Sequence, residues 1–190
     1  MKKTVMVMLA GLAMVLITSS AMAETRSFNL SLTPDVAVYP RSDVIEGVTL
    51  SVWGENQQSS LALGLANGSF GQSTGMSVGM LNYTDNYMGL QWGLVNYTKG
   101  DSSGWQGGFI FAFLASGVNY TAGTMKGLFT GVVNYAGRLK GLQLGVVNYV
   151  EDSDAGVQIG LFNIIHSNKN WFSDLPGELA PAMILVNWSF

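Results

Sequence analysis

The feature that most constrains this chain is a ten-residue unit, G-x-Q-x-G-x-x-N-Y-x, that recurs along most of its length. Clear copies stand at 75–84 (GMSVGMLNYT), 89–98 (GLQWGLVNYT), 127–136 (GLFTGVVNYA), 141–150 (GLQLGVVNYV) and 156–165 (GVQIGLFNII). Residues 60–69 (SLALGLANGS) form a weaker copy, and in 112–121 (AFLASGVNYT) Ala112 and Ser116 replace the two glycines. The Asn of the unit falls at 67, 82, 96, 119, 134, 148 and 163, mostly 14 or 15 residues apart. Within a copy apolar residues alternate with period two, which predicts strand. In 141–150 one face carries Leu142, Leu144, Val146, Asn148 and Val150, and the other carries Gly141, Gln143, Gly145, Val147 and Tyr149. Neither face holds a charge. Between 59 and 168 every charged residue (Asp85, Lys99, Asp101, Lys126, Arg138, Lys140, Glu151, Asp152, Asp154) lies between copies. A half-buried soluble sheet ordinarily puts Lys, Glu or Thr on its wet face.

The spacing admits an antiparallel meander. Placing Tyr149 opposite Gly156 leaves 151–154 as a loop, and Tyr135 opposite Gly141 leaves 137–139. The same rule sets Tyr83 against Gly89, Tyr97 against Gly104 and Tyr120 against Gly127, all with ordinary hairpin lengths. Each pairing puts a ring over a glycine, as in aromatic rescue. Residues 104–111 are a partial copy that runs into 112–121, read as one long strand or as two with a hairpin near 111–115. Two further strands are expected at 28–39 and 44–54, around Pro40-Arg41-Ser42, with an irregular stretch at 166–179 and a last strand at 181–190. The expectation is an all-β, antiparallel up-and-down meander closing as a small outer-membrane β-barrel of about ten strands, within a range of roughly 8–12.

The chain's two ends support that location. Lys2 and Lys3, the apolar stretch 5–17 and Ala21-Met22-Ala23 have the form of a signal peptide over residues 1–23, cleaved after Ala23. One domain over 24–190 remains, of about 167 residues. Removal of Lys2 and Lys3 leaves 7 basic against 12 acidic residues, a net charge of −5 with no basic stripe, which argues against nucleic acid as a partner. At 48% apolar and 11% charged the chain is not a disordered one, and without cysteine it holds no disulfide or thiolate site. The last strand alternates Ala182, Ile184, Val186, Trp188 and terminal Phe190, and so resembles the signal read by the barrel-assembly machinery of the outer membrane. Outer-membrane lipid and that machinery are therefore the expected partners, and the outer membrane the expected location. One residue fits poorly: Asn148 and its equivalents fall on the lipid-facing side. A β-solenoid with an internal ladder of stacked Asn is the architectural rival.

The repeat, the opening SFNLSLTPDVAVYP with VTLSVWGEN, and the ending LAPAMILVNWSF resemble a family of small secreted Gram-negative surface-repeat proteins. The resemblance implies location and architecture but no activity and no functional residues. Direct inspection for chemistry agrees. His166 is the single histidine; beside Ser167 and Asn168 it invites comparison with outer-membrane lipid A deacylases, but adjacent residues of a strand face opposite ways. Glu151, Asp152 and Asp154 read as a solvated acidic turn near Arg138 and Lys140 rather than a cation site. Trp53, Trp92, Trp105, Trp171 and Trp188 read as an interfacial girdle in preference to sugar-stacking positions. No catalytic, cofactor-binding or metal-binding residue is assigned, no cofactor is implied, and the chain is not read as an enzyme. The favoured function is a barrel of structural or surface-interaction type. A narrow pore or carrier and a secreted β-solenoid interaction protein are the alternatives, and a lipid-modifying enzyme is the weakest class.

Overall fold

Identical residues stack on identical residues. In the computed structural model, which describes residues 23–108 and 116–190, copies of the repeat run parallel and in register. Asn82 and Tyr83 pair with Asn96 and Tyr97, and these with Asn119 and Tyr120. Gly75 pairs with Gly89, Gly89 with Gly104, and Gly104 with Gly127. The elements are β1 (Thr25–Thr33), β2 (Val36–Ala37), β3 (Val44–Glu55), β4 (Gln57–Gln58), β5 (Leu61–Val78), β6 (Leu81–Trp92), β7 (Val95–Thr98), β8 (Ser102–Gly107), β9 (Ser116–Ile165) and β10 (Ala182–Ser189). Pairing in β9 continues through its corners, so this 50-residue element winds over several turns. The chain is a β-solenoid of about 6 turns.

This overturns the antiparallel barrel. Hairpin pairing would set Tyr149 against Gly156 and Tyr135 against Gly141; instead tyrosine lies on tyrosine and glycine on glycine. The reason is what each register offers the asparagines. A meander leaves every Asn amide facing lipid, whereas parallel stacking gives each one another Asn amide as a partner. The ladder runs without a break: Asn67 donates to Asn82 (3.0 Å), Asn82 to Asn96 (2.8 Å), Asn96 to Asn119 (2.9 Å), and then Asn119 to Asn134, Asn134 to Asn148 and Asn148 to Asn163 (2.8 Å each).

Each turn is a flattened loop of two short strands. The G-x-Q-x-G half meets the N-Y-x half at a corner made by an apolar doublet: Met80-Leu81, Leu94-Val95, Val132-Val133 or Leu161-Phe162. Both members of each doublet are exposed. Two consecutive outward residues shift the alternation by one, so Asn148 points inward although Val146 points out. Reading one unbroken parity through the corner had put Asn148 on the outside and Val147 and Tyr149 on the inside; both assignments reverse. The apolar set Leu90, Leu94, Leu128, Val132, Leu142, Leu144, Val146, Val157, Ile159 and Leu161 faces outward as expected.

The described parts of 104–121, read from sequence as one strand or two, belong to the two halves of a turn. Gly104 and Gln106 stack on Gly89 and Gln91, while Asn119 and Tyr120 stack on Asn96 and Tyr97. The possible hairpin at 111–115 lies outside the described residues, as does nearly all of the 1–23 signal.

Two glycine columns make this stacking possible. Gly89, Gly104, Gly127 and Gly141 have φ of 140°, 118°, 125° and 150°, and a Cβ on any of them would overlap the carbonyl oxygen of the glycine one turn before. The second column sits over the ladder: a Cβ on Gly131 would come within 2.7 Å of Asn119 Nδ2 and 2.8 Å of Asn134 Oδ1.

Inside, the columns change character along the axis. Ser73, Ser77, Thr84, Gln91 and Thr98 fill the earlier turns, whereas Met125, Phe129, Ala136, Leu139, Val150 and Ile165 form one apolar cluster in the later ones. The axis is filled by side chains, where the pore alternative assumed an open lumen.

Each end carries a strand that reverses direction. At the N-terminus β1 lies parallel to β3, not in a hairpin with it, and β2 folds back antiparallel on β1. At the C-terminus β10 runs antiparallel to the last turn of β9, with Trp188 against Val157 and Val186 against Ile159. The strand that ends in Phe190 thus closes a sheet edge.

Two outcomes are expected in urea unfolding. Gly127→Ala should cost at least ~2 kcal/mol, from backbone strain and overlap, against under ~0.5 kcal/mol for Gly177→Ala, whose nearest neighbour lies at 3.5 Å. Asn134→Ala strands a donor of Asn119 and acceptors on Asn148 and Leu144 and should cost about 3 kcal/mol. A loss below ~1 kcal/mol would show that the ladder does not hold the turns together.

Candidate functional site

The corners of successive turns line up because the turns are in register. Leu32, Val52, Leu65, Met80, Leu94, Val132, Val146, Leu161 and Ile184 form an exposed apolar ridge along the solenoid, from β1 to β10, with Gly117 at the level between Leu94 and Val132. At about 4.8 Å per strand spacing it is roughly 40 Å long. Its flanks are apolar too. On the Gln side stand Leu30, Leu50, Leu63, Val78, Trp92, Leu144, Ile159 and Val186, with Gly107 and Thr130 at the two levels between Trp92 and Leu144; on the Asn side stand Leu81, Val95, Val118, Val133 and Phe162. Patches of this extent are uncommon on monomeric soluble proteins and mark interaction surfaces.

The ridge is apolar down to its backbone. Corner amides are paired from turn to turn: Gly79 N donates to Trp92 O, Met80 N to Leu65 O, Gly93 N to Gly107 O, Val95 N to Met80 O and Val118 N to Leu94 O, at 2.8–3.0 Å. Corner carbonyls take the second proton of the ladder. Asn67 donates to Val78 O, Asn96 to Gly107 O, Asn134 to Leu144 O, Asn148 to Ile159 O and Asn163 to Gly160 O, at 2.8–3.0 Å. The asparagine column therefore does two jobs, holding turn to turn and quenching the polar groups behind the ridge.

Charge is collected on the opposite edge. Its loops stack as the turns do, with Asp85 accepting from Gly71 N (3.0 Å) and Asp101 from Thr124 N (2.7 Å). Arg138 pairs with Asp152 (2.7 Å), and Lys140 with Asp154 (2.7 Å). The Lys140 hydrogen bond, helped by nearby Arg138, holds the Asp154 carboxyl below the usual carboxylate range.

Between ridge and charged edge, on the Asn side, runs a column of stacked tyrosines. Ring centroids lie 5.2 Å apart for Tyr97–Tyr120, 4.6 Å for Tyr120–Tyr135 and 5.5 Å for Tyr135–Tyr149, with planes within 7° of parallel. These stacked faces are covered by their neighbours, which leaves edges and hydroxyls outward. Tyr135 Oη donates to Glu151 (2.5 Å), and this bond to a carboxylate raises its pKa to about 12. Tyr83 rises to about 12 chiefly by burial.

The residues weighed from sequence are scattered. His166 is exposed, while the Asn168 amide is buried, donating to Ala180 O and Trp188 O as part of the C-terminal closure. Glu151, Asp152 and Asp154 are engaged by Tyr135, Arg138 and Lys140. Among the described residues no group of three or more acidic or histidine side chains is placed to hold a metal ion. The tryptophans form no girdle. Trp92 and Trp105 meet edge to face at 4.8 Å on the Gln side, Trp53 donates to Tyr83 Oη (2.7 Å), and Trp188 donates to Pro176 O (2.9 Å) near the C-terminus. Sequence reading identified the outward Gln-side columns but missed the ridge as a unit. The available signal was the apolar doublet before each Asn, which breaks a period-two pattern.

Alkaline titration followed by phenolate absorbance checks this edge. Glu151→Gln removes the main cause of the Tyr135 shift, and its midpoint should fall from about 12 toward 10.0. Because the folded pKa lies above the unfolded one, the stability linked to Tyr135 is fully present below pH 10 and is lost as pH rises through about 12. An unchanged midpoint would remove Glu151 as the cause. Comparison with family models, with curated proteins and with solved structures returned no match.

Proposed function

We propose that this chain is a secreted β-solenoid interaction protein whose working surface is the apolar ridge with its two flanks. One observation carries the reading: an uncharged apolar surface runs the length of the solenoid while the charged groups of the repeat region sit on the far edge. A solenoid that only had to stay folded and dissolved gains nothing from leaving Leu65, Met80, Leu161 and Ile184 more than half exposed. The signal-like residues 1–23 support delivery out of the cytoplasm. No catalytic role is assigned, since His166 and the acidic turn converge on no common point.

The test is retention on a phenyl matrix at low ionic strength. Wild type should be retained. The triple variant Met80→Lys, Val132→Lys, Leu161→Lys should elute early with an unchanged β circular dichroism spectrum, because all three side chains already face water. A far-edge triple, Asp85→Ser, Lys99→Ser, Asp101→Ser, should behave as wild type. Equal retention of all three proteins would overturn the ridge as the working surface.

A further inference from the structure

Resting on that reading of the ridge, we infer that its occupant is the surface of a phospholipid bilayer, with the corner doublets in the acyl-chain boundary and the charged edge in water. Shape is the first argument. The ridge is convex, two apolar sheet faces meeting at a line of corners, with Leu94 at the line and Trp92 and Val95 on either side. A second copy or another flat sheet packs face to face on one flank and leaves the other in water. A fluid lipid phase closes round both flanks at once.

The second argument is polar satisfaction. Entry into lipid requires that backbone N–H and C=O groups be paired within the protein. Bends are where that usually fails, yet here corner amides bond from turn to turn and corner carbonyls accept from Asn67, Asn96, Asn134, Asn148 and Asn163. A protein-binding corner could leave such groups to water or to polar partners.

The third is depth. About four residues separate the corner from the charged edge, some 13 Å at about 3.3 Å per residue. Interfacial elements sink about 5–10 Å into the headgroup and acyl boundary. Lys126, Arg138, Lys140 and Asp154 therefore stay in water while the corner doublets are covered. No basic residue stands on the ridge, so attraction to anionic headgroups has no part in the binding.

The chain has no cysteine, so single labels can be placed at will. An environment-sensitive fluorophore is attached at V146C or L161C on the ridge and at K99C or D154C on the far edge, in the full protein as processed by the expressing cell. Phosphatidylcholine vesicles are then added. Ridge labels should shift to the blue and be quenched by a quencher carried on the acyl chains; far-edge labels should not respond. Co-flotation with the vesicles should be unaltered from about 50 to 500 mM salt, over which the Debye length falls about three-fold. The triple M80K/V132K/L161K should lose at least ten-fold in vesicle partitioning. Ridge labels that shift with protein concentration alone, with a heavier species in sedimentation and no flotation, would overturn the lipid inference and leave the ridge as a protein-binding surface. Ridge labels that stay in water under both conditions would overturn the inference and that reading together. Flotation only with anionic vesicles and only at low salt would overturn it in favour of headgroup electrostatics.

Discussion

The asparagine ladder is the interaction on which the rest depends, because each amide has obligations in two directions. One proton goes to the next Asn along the axis, and at Asn67, Asn96, Asn134 and Asn148 the other goes to a carbonyl at the corner of the following turn. Both bonds exist only if every turn brings its Asn to the same place, which sets the period and forbids slippage. Stacking at strand spacing then dictates neighbours. Close approach to the ladder amides favours glycine three residues before the Asn, at 93, 131, 145 and 160, although Ser116 is accommodated before Asn119; at 75, 89, 127 and 141 the residue seven before approaches the previous turn's carbonyl with positive φ, whereas Gly156 does not. The glycines of the repeat thus follow in large part from the hydrogen-bond geometry of its Asn.

What lies inside the ladder is less uniform, and the difference has energetic meaning. Gln106 donates to Gln91 and Gln158 to Gln143, two fragments of a second ladder interrupted where Phe129 takes the Gln position. Around Phe129 the interior becomes apolar, with Met125 below it and Leu139, Val150 and Ile165 beyond. Burial of these side chains supplies a larger hydrophobic term than in the earlier turns, where Ile45, Ala62 and Tyr87 are buried among Ser73, Ser77, Thr84 and Thr98. In a fold where each turn touches mainly its neighbours, stability is a sum of local contributions. The later turns thus draw more on apolar burial, and the earlier ones more on side-chain hydrogen bonds such as Asn67 to Asn82 and Ser77 to Asn82.

Much of this was legible in the residues: the repeat, its strand character, the outward face of Leu142, Leu144 and Val146, and the exclusion of charge from the copies. Strand direction was not. A spacing of 14 or 15 residues fits a hairpin pair or a solenoid turn equally well, since both need about ten paired residues and a loop of three to five. Tyr over Gly looks favourable in one register, and Tyr over Tyr is favourable in the other. The discriminating residue was Asn148, which had no good place in a barrel. Its misfit came from carrying one parity through Val146-Val147, where a corner shifts the alternation. The ridge was hidden for the same reason, since it exists only once both members of each doublet point outward. The last strand misled differently: alternating apolar residues up to a terminal Phe also suit a strand that closes a sheet, as β10 does.

The closure of the ends is what gives the apolar sides their meaning. A stack of parallel turns with open ends presents unpaired strand edges and grows by adding copies. Here β2 turns back on β1, and β10 reverses direction across the last turn of β9. The outer side of β10 is itself partly occupied, with Leu179 N donating to Trp188 O and Phe190 N to Gly177 O, and Asn187 carries the amide theme into the closure by bonding Asn163 O and Ala180 O. These elements cover the last turn of β9 and, at Ser31 and Thr33, the end of β1. The long sides carry no such protection: among the described residues no lysine or proline stands in the corner column from Val52 to Leu161, where Gly117 is the one position without a side chain. A chain that guards its short edges and leaves its longest apolar surface bare is organised for contact along that surface, and its convexity favours a partner that can flow around it.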